Sequence, residues 1–430
     1  MVPKYKAYNI HTLESIPNLS KIDRGIIEDI KIVSEIYPFK TNNYVIDYLI
    51  DWEKGAEDPM FRLNFPHRGM LTEDVYDKLK WGKKSLSKSD FAELVDQVRQ
   101  ALNPHPAGQT SFNVPFENGA KLEGLQHKYL NTILYFPSHS QTCHAYCTFC
   151  FRWPQFVSNT ELKFQAKEIA PLIRYLNYNP QITDVLLTGG DPMVMGPQIL
   201  SKYIDALLEV KTVKNIRIGT KSLSFWPFKF TEEEGYQETL NVLQKVPASG
   251  KHLAIMSHFN HPVELSSDIV THAIRNLRGI GAEIRTQAPL LKTINNKSEI
   301  WSEMWERQVQ LGLIPYYMFL PRDTGAQQHF AEDLKAALNI YKNAIQKVSG
   351  LSRTAKGPVM SVLDGKVELL DCVDDVYYLR YLQHRNPGLA YKVFKGREIV
   401  DDPKWFTDLT AIDENDHQYF ESSRKAVLSL

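Results

Sequence analysis

Residues 183–192 read "TDVLLTGGDP". A short apolar run, Val185 to Leu187, stops at Thr188 and two glycines, the pattern of a buried strand that ends in a loop. Five further runs share that rhythm: "TILYFPS" at 132–138, "NIRIGTKS" at 215–222, "HLAIMSHF" at 252–259, "EIRTQAPLL" at 283–291 and "LIPYYMFLP" at 313–321. Helical stretches separate them, among them "ELKFQAKEIAPLIRYLNYN" at 161–179 and "SSDIVTHAIRNLRGIG" at 266–281. Six strand–helix units in series predict an α/β fold with a parallel sheet, open or curled into a barrel. Several strands end on polar or glycine residues: Thr188, Gly189, Gly190 and Asp191; Ser257 and His258; Gln287; Arg322 and Asp323. Barrel enzymes build their sites at the carboxyl ends of the strands, so these residues are expected around one mouth.

The first of the six strands runs directly into "SHSQTCHAYCTFCFRW" at 138–153, which holds Cys143, Cys147 and Cys150; the remaining cysteine is Cys372. In a reducing compartment, clustered cysteines are better read as metal ligands or catalytic groups than as disulfides. A structural zinc wants four ligands, and His144 or His139 would have to complete a Cys3His set. Three thiolates on a [4Fe–4S] cluster instead leave one iron without a protein ligand, and an open coordination position suits chemistry.

The chain of 430 residues is 43% hydrophobic and 23% charged, which allows a sizeable core and two or three structural units. Fifty basic and fifty acidic side chains cancel, leaving no global field to favour nucleic acid or an anionic membrane. The start, "MVPKYKAYNIHTLESIPNLSK", has no apolar leader segment, and no run is long and apolar enough to span a bilayer. A cytoplasmic protein is therefore expected, with neither nucleic acid nor membrane as partner. Three regions follow. Residues 1–125 read as mostly helical, with "SKIDRGIIEDIKIVSEIYPF" capped by Ser20 and "SKSDFAELVDQVRQAL" capped by Ser89, closed by the Pro/Gly/Asn-rich "NPHPAGQTSFNVPFENGA". Residues 126–330 form the strand–helix series, and 331–430 an α+β extension. There "VMSVLDGKVELL" predicts a hairpin turning on Asp364-Gly365, "DVYYLRYL" another strand, and the tail from Asn386 is polar with little periodicity.

The C-x3-C-x2-C spacing on a loop after the first strand, with Phe149 before the last cysteine, resembles the signature of the radical S-adenosylmethionine (SAM) superfamily. "TGGDP" is similar to that superfamily's glycine-rich motif after strand two. Over much of residues 120–370 the chain also resembles the lysine 2,3-aminomutase family. "HKYLNTILYFPSHSQTCHAYCTFCFRW", "DVLLTGGDP", "IRIGTKS", "SHFNHPVEL", "QAPLL", "PYYMF" and "GPVM" occur in that family's order. The resemblance implies a partial (β/α)6 TIM-like barrel of the radical SAM type with an amino-terminal helical region and a carboxyl-terminal α+β extension. It implies a [4Fe–4S] cluster on Cys143, Cys147 and Cys150, SAM, pyridoxal phosphate (PLP), and a small amino-acid substrate whose amine migrates from Cα to Cβ. A one-electron reductant such as flavodoxin or ferredoxin, and the option of a homo-oligomer, come with it. It sets Thr188, Gly189, Gly190, Asp191, His258 and Gln287 near SAM, and Lys128 and Tyr129 by the PLP phosphate. Arg152 would grip the substrate carboxylate, and Lys356 would carry PLP.

The sequence also departs from that family. Thr132 stands where a second basic phosphate partner is expected. The two aspartates that hold the distal ammonium of lysine are replaced by Arg322, beside Asp323, and by a residue near Ser349. A buried ammonium without carboxylates is costly, so the departure implies a substrate other than lysine, with Arg322 and Asp323 as side-chain contacts. The family's cysteine-rich zinc site is absent. Two readings stand beside the aminomutase: a PLP-independent enzyme of epimerase or dehydrogenase type on the same scaffold, and a non-catalytic metal-binding scaffold. An exposed loop lysine competes for Lys356, and a loop-closing ion pair for Arg322–Asp323.

Overall fold

The computed structural model describes residues 4–105, 110–157 and 163–421. The first two residues of the expected helical stretch at 161–179, and positions 106–109 of the Pro/Gly-rich connection, lie outside the described residues. One twelve-stranded sheet, whose spatial order follows the chain, forms the centre. Its strands are β1 (Leu125–Tyr129), β2 (Thr132–Tyr135), β3 (Asp184–Leu187), β4 (Asn215–Thr220), β5 (His252–His258), β6 (Glu283–Pro289), β7 (Ile314–Phe319) and β8 (Lys356–Met360). They continue as β9 (Gly365–Val373), β10 (Val376–His384), β11 (Val393–Glu398) and β12 (Leu409–Ala411). From β2 to β8 every pairing is parallel; β1 joins β2 antiparallel, and so do the pairs from β8 to β12. Each parallel step crosses over through a helix: Ala170–Tyr178, Pro197–Leu208, Tyr236–Ala248, Asp268–Gly279, Ser298–Gln310 and Leu334–Lys347. This is the expected partial (β/α)6 barrel, with β8 as a seventh parallel strand. The sheet runs across residue 330 without a break.

The core lies between the strands and these helices. On Asp268–Gly279 the buried residues are Val270, Ala273, Ile274 and Leu277, spaced so that one stripe faces the sheet. In β4 burial alternates: Ile216 and Ile218 are fully buried, while Arg217 between them lines the barrel interior, as the two-residue period requires. The sheet curls until its first strand meets the far end of the parallel run. There Lys128 Nζ donates to the carbonyls of Val362 and Gly365, the latter at 3.1 Å. A side chain, not strand pairing, closes the gap.

Local signals are displaced at several points. Helix Arg24–Val33 is capped by Asp23, whose side chain accepts from Gly25 N; Ser20 lies inside a preceding 3-10 turn, Leu19–Lys21. Helix Lys88–Ala101 is capped by Ser87, and Ser89 is already within it. The hairpin β8–β9 forms, but Gly365 opens β9 instead of turning it. Its glycine is needed because a Cβ there would lie 2.0 Å from the carbonyl oxygen of Gln383. The tight turn comes one hairpin later, where Asp374 (φ 49°) and Asp375 (φ 61°) alone join β9 to β10, the two left-handed residues of a type I′ loop. Replacing Asp375 by glycine is expected to stabilise the chain by about 0.5 kcal/mol by relieving the left-handed strain of a residue with a Cβ, read as a rise in the denaturant midpoint. The tail from Asn386 contributes β11 and β12, anchored by Phe394, Leu409 and Ala411. Among the described residues no helix is long and apolar enough to cross a membrane.

Candidate active site

The cysteine loop is held from two sides. On the barrel side, Ser140 Oγ donates to Thr188 O at 3.0 Å. The amides of Gly190 and Asp191 donate to Ser140 O at 2.8 and 3.1 Å, and Asp191 N also reaches Thr142 O at 2.8 Å. From the amino-terminal region, Lys40 Nζ donates to Cys143 O at 2.8 Å, and Asn42 Nδ2 and the Tyr5 hydroxyl both donate to His144 O, at 3.1 and 2.7 Å. The amide of Thr148 reaches Leu63 O at 2.9 Å. Bracing this loop is what residues 5–63 do for the site, and no local motif announced it.

All three cysteines are free and partly exposed. Burial pushes each thiol pKa up; at Cys143 the Asp191 carboxylate and the other two thiols push the same way, and Lys40 opposes them. Thiolates at this place therefore call for a strongly cationic guest. Among the described residues no three His, Cys, Asp or Glu side chains come close enough to share one ion. Three thiolates without a fourth protein ligand suit separate irons of a cluster and leave a tetrahedral zinc set incomplete. The two histidines that might have completed a zinc set use their Nδ1 elsewhere: His144 with Ser222 Oγ at 2.9 Å, His139 with the Tyr203 hydroxyl at 2.8 Å. The donor set fits a [4Fe–4S] cluster.

The glycine turn serves the same loop. A Cβ on Gly190 would sit 2.4 Å from Thr142 O, and one on Gly189 (φ +143°) 2.5 Å from Ser140 Oγ, so both positions exclude a side chain. Asp191 Oδ1 accepts from Met193 N at 2.9 Å and Thr220 Oγ1 at 2.7 Å; Oδ2 accepts from Lys221 N at 2.8 Å and Ser222 Oγ at 3.1 Å. A carboxylate offers about four acceptor sites, and these four bonds fill them. Asp191 ties β3 to β4 under the cysteine loop and has no acceptor left for the amino group of SAM, the role the resemblance gave it. Asp191→Ala strands four buried donors and is expected to cost about 3 kcal/mol or more, measured by chemical denaturation, with a parallel loss of iron retention.

At the ends of β5 and β6, His258 Nε2 accepts from Gln287 Nε2 at 2.8 Å, and the two are register partners. Burial, and then the Lys221 charge, push the His258 pKa down to about 3, so its imidazole is a neutral acceptor. Lys221, at the end of β4, pairs with the fully buried Glu264 and donates to Asn260 Oδ1 at 2.9 Å. Glu264 also accepts from Ser224 Oγ and from the amides of Asn260 and His261, so this buried ion pair is fully hydrogen-bonded. Both charges lie within electrostatic reach of Cys147: Lys221 pulls its thiol pKa downward, and Glu264 opposes that.

Inside the barrel, next to the cysteine loop, lies a cavity lined by five basic side chains, Lys128, Arg152, Arg217, Arg322 and Lys366, and, among the described residues, by no Asp or Glu. Tyr129 and Thr188 also line it. Arg152 Nη2 donates to Gln141 Oε1 at 3.2 Å, and its guanidinium lies 4.5 Å from the Phe136 ring centroid. Burial pushes the Arg152 pKa down to about 10, against the pull of Cys150 and Cys143, and the group stays protonated at neutral pH. The Nε atoms of Arg152 and Arg322 are buried without a hydrogen-bond partner among the described residues.

Five of the expected residues thus meet in one cavity: Lys128, Tyr129, Arg152, Thr188 and Arg322. One of these five, Lys128, is occupied, and two further expected residues lie elsewhere. Lys128 spends its ammonium closing the barrel. Asp323 does not line the cavity and lies 3.6 Å from His105 Nε2. Lys356 does not line it either: it is the first residue of β8, its Nζ 5.8 Å from the ring of the exposed Tyr391. The chain reaches the cavity only at Ser361, about 16 Å further on at the usual rise per strand residue. The residues inherited for PLP therefore do not fit that cofactor. Arg217 and Lys366 were missed, although the alternation of β4 around Ile216 and Ile218 marks Arg217.

No family model matches the chain. A protein named "Putative L-lysine 2,3-aminomutase" from Aquifex aeolicus (strain VF5) is 29% identical over 386 residues, covering 89% of this chain and 91% of its own. The chain is similar over most of its length to proteins named as lysine 2,3-aminomutases. The L-lysine 2,3-aminomutase of Clostridium subterminale is 26% identical over 234 residues, 54% of this chain and 53% of its own. The glutamate 2,3-aminomutase of Clostridioides difficile (strain 630) is 29% identical over 210 residues, 49% and 47% of the two chains. The likeness is to proteins named as 2,3-aminomutases, and the cavity's basic side chains mark where this chain diverges from the expected lysine site.

Proposed function

We propose that this enzyme acts on a free amino acid whose side chain ends in an acid. The supporting observation is a cavity lined by three arginines and, among the described residues, by no carboxylate. Buried cations with unfilled donors favour an anionic guest. A lysine side chain would bring another positive charge to a site without a counter-ion, and like charges brought together cost several kcal/mol. The likeness to a glutamate 2,3-aminomutase supports the same class. Arg152, two residues after Cys150, grips the α-carboxylate through its fork, which matches a carboxylate in plane. Arg322 and Arg217 receive the distal acid. Phe136, Phe151 and Tyr316 line the remaining wall and exclude water from the reacting carbon.

Cys143, Cys147 and Cys150 hold a [4Fe–4S] cluster that, with SAM bound at its open iron, supplies a 5′-deoxyadenosyl radical for hydrogen abstraction. The electron comes from a small carrier such as flavodoxin or ferredoxin, in the cytoplasm, where four cysteines stay reduced. Transfer of the amine between Cα and Cβ is the outcome that the likeness to 2,3-aminomutases supports. A PLP-independent abstraction of epimerase or dehydrogenase type is favoured by one observation, the position of Lys356 off the cavity. The two are separated with glutamate or aspartate deuterated at both Cα and Cβ. Both readings expect deuterium in 5′-deoxyadenosine; a β-amino acid marks amine migration, inversion at Cα marks epimerisation, and a product lacking two hydrogens marks dehydrogenation. Absence of deuterium transfer from either acid contradicts both.

A further inference from the structure

We infer that Lys40, from the amino-terminal region, is a positioning residue of the redox centre: it fixes Cys143, and its positive charge eases entry of the electron. The inference rests on the reading of Cys143, Cys147 and Cys150 as ligands of a [4Fe–4S] cluster. Lys40 opens the short strand Lys40–Asn42, about a hundred residues before the cysteines, and grips their loop twice. Its carbonyl accepts from Tyr146 N at 2.8 Å. Its Nζ donates to Cys143 O at 2.8 Å and to Thr142 Oγ1 at 3.3 Å. The ring centroids of Tyr5 and Tyr146 stand 5.9 and 5.8 Å from that nitrogen. The half-buried ammonium therefore has a fixed place beside the first cysteine.

Burial disfavours all three thiolates, and a different cation supports each: Lys40 at Cys143, Lys221 at Cys147 and Arg152 at Cys150. The three cations differ in what else they hold. Lys221 is neutralised by the buried Glu264, and the fork of Arg152 is committed to the substrate carboxylate in the proposed reading. Among the described residues Lys40 has no carboxylate partner. Its hydrogen bonds go to a carbonyl and a hydroxyl, which leave its charge uncompensated. When the carrier gives up one electron and is oxidised, the cluster with its thiolates becomes more negative by one charge. A fixed ammonium beside a cluster ligand attracts that reduced state more strongly than the oxidised one. Lys40 therefore raises the reduction potential of a centre that would otherwise sit among buried carboxylates.

The test is a potentiometric titration of the anaerobically reconstituted full chain without SAM. It is followed by the electron paramagnetic resonance signal of the reduced cluster, with iron content measured on the same samples. Lys40→Met keeps an apolar stem against the two tyrosines and removes the charge. Lys40→Gln also removes the charge but keeps a hydrogen-bond donor, and Lys40→Arg keeps both. Met and Gln are each expected to lower the equilibrium constant for reduction about ten-fold, about 59 mV for a one-electron couple. Iron content holds in both, because Asn42, Tyr5 and the Gly190 and Asp191 amides still brace the loop. Lys40→Arg is expected to stay within about three-fold of the parent, since it restores the charge. An unchanged potential in Met and Gln overturns the inference. So does a fall in Met that Gln restores, or loss of iron from both uncharged variants, since either makes Lys40 a brace and no more. A parent chain that binds no iron–sulfur cluster retires the cluster reading, and this inference with it.

Discussion

Alanine at Cys143, Cys147 or Cys150, one at a time, is expected to drop 5′-deoxyadenosine formation to background and to strip iron from the reconstituted protein, while the fold stays intact. The fold survives because the loop is not held by its thiols. Lys40, Asn42 and Tyr5 bind its backbone carbonyls, and the amides of Gly190 and Asp191 hold its other end. Each thiol removed is one whose burial already disfavours ionisation, so the stability change stays within about 1 kcal/mol. Iron content, product and melting temperature together separate loss of a ligand from loss of the loop. A variant that keeps iron and cleaves SAM at the parent rate contradicts the assignment.

Arg322→Gln is the second large effect. Truncating one partner of a buried, hydrogen-bonded charge pair costs about 2–5 kcal/mol, so kcat/KM for an acidic amino acid should fall about 30- to 5000-fold. A neutral amino acid of similar size makes no such pair, and its kcat/KM should change less than about ten-fold. The acid's loss is expected mainly in KM, because the distal acid is bound in the ground state and the transition state alike. Arg152→Lys acts differently. It blunts the fork that grips the α-carboxylate, common to every substrate, and lowers all of them together. Equal losses for acidic and neutral substrates in Arg322→Gln would remove Arg322 from the distal site.

The barrel and its mouth were legible because they depend on short-range signals. Two-residue alternation, glycines after strands and the cysteine spacing lie within ten residues of one another, and each has one cheap physical solution. The α/β class, the six crossovers and the meeting of Thr188 and Arg322 follow from them, whereas Arg152 was picked out by the family resemblance. The remainder depends on contacts far apart in sequence. That Asp191 would be saturated by donors from Thr220, Lys221 and Ser222 required β3 and β4 to be side by side. That Lys128 would close the barrel on Val362 and Gly365 required the curl of the whole sheet. Lys356 and Lys366 are ten residues apart on one hairpin, and only the register of β8 and β9 sets the second, not the first, on the cavity. The Asp374-Asp375 turn was missed for a local reason: Asp364-Gly365 is the better turn dipeptide, yet tertiary packing against Gln383 uses that glycine for close approach.

The electrostatic design of the site also crosses these ranges. Carboxylates near the cysteine loop, Asp191 and Glu264, are all consumed by donors, whereas the cations of the cavity keep unfilled donors. The enzyme therefore arranges a net positive interior for a substrate next to a site that needs a cationic guest for its thiolates. The proposed anionic substrate satisfies the first without competing for the second.

The most direct measurement is substrate-dependent 5′-deoxyadenosine formation by the anaerobically reconstituted protein, supplied with SAM, a reductant and, in separate reactions, glutamate, aspartate, alanine and lysine. The account expects product above the no-substrate control with an acidic amino acid and none above it with lysine; lysine-driven product, with the acids silent, would contradict it.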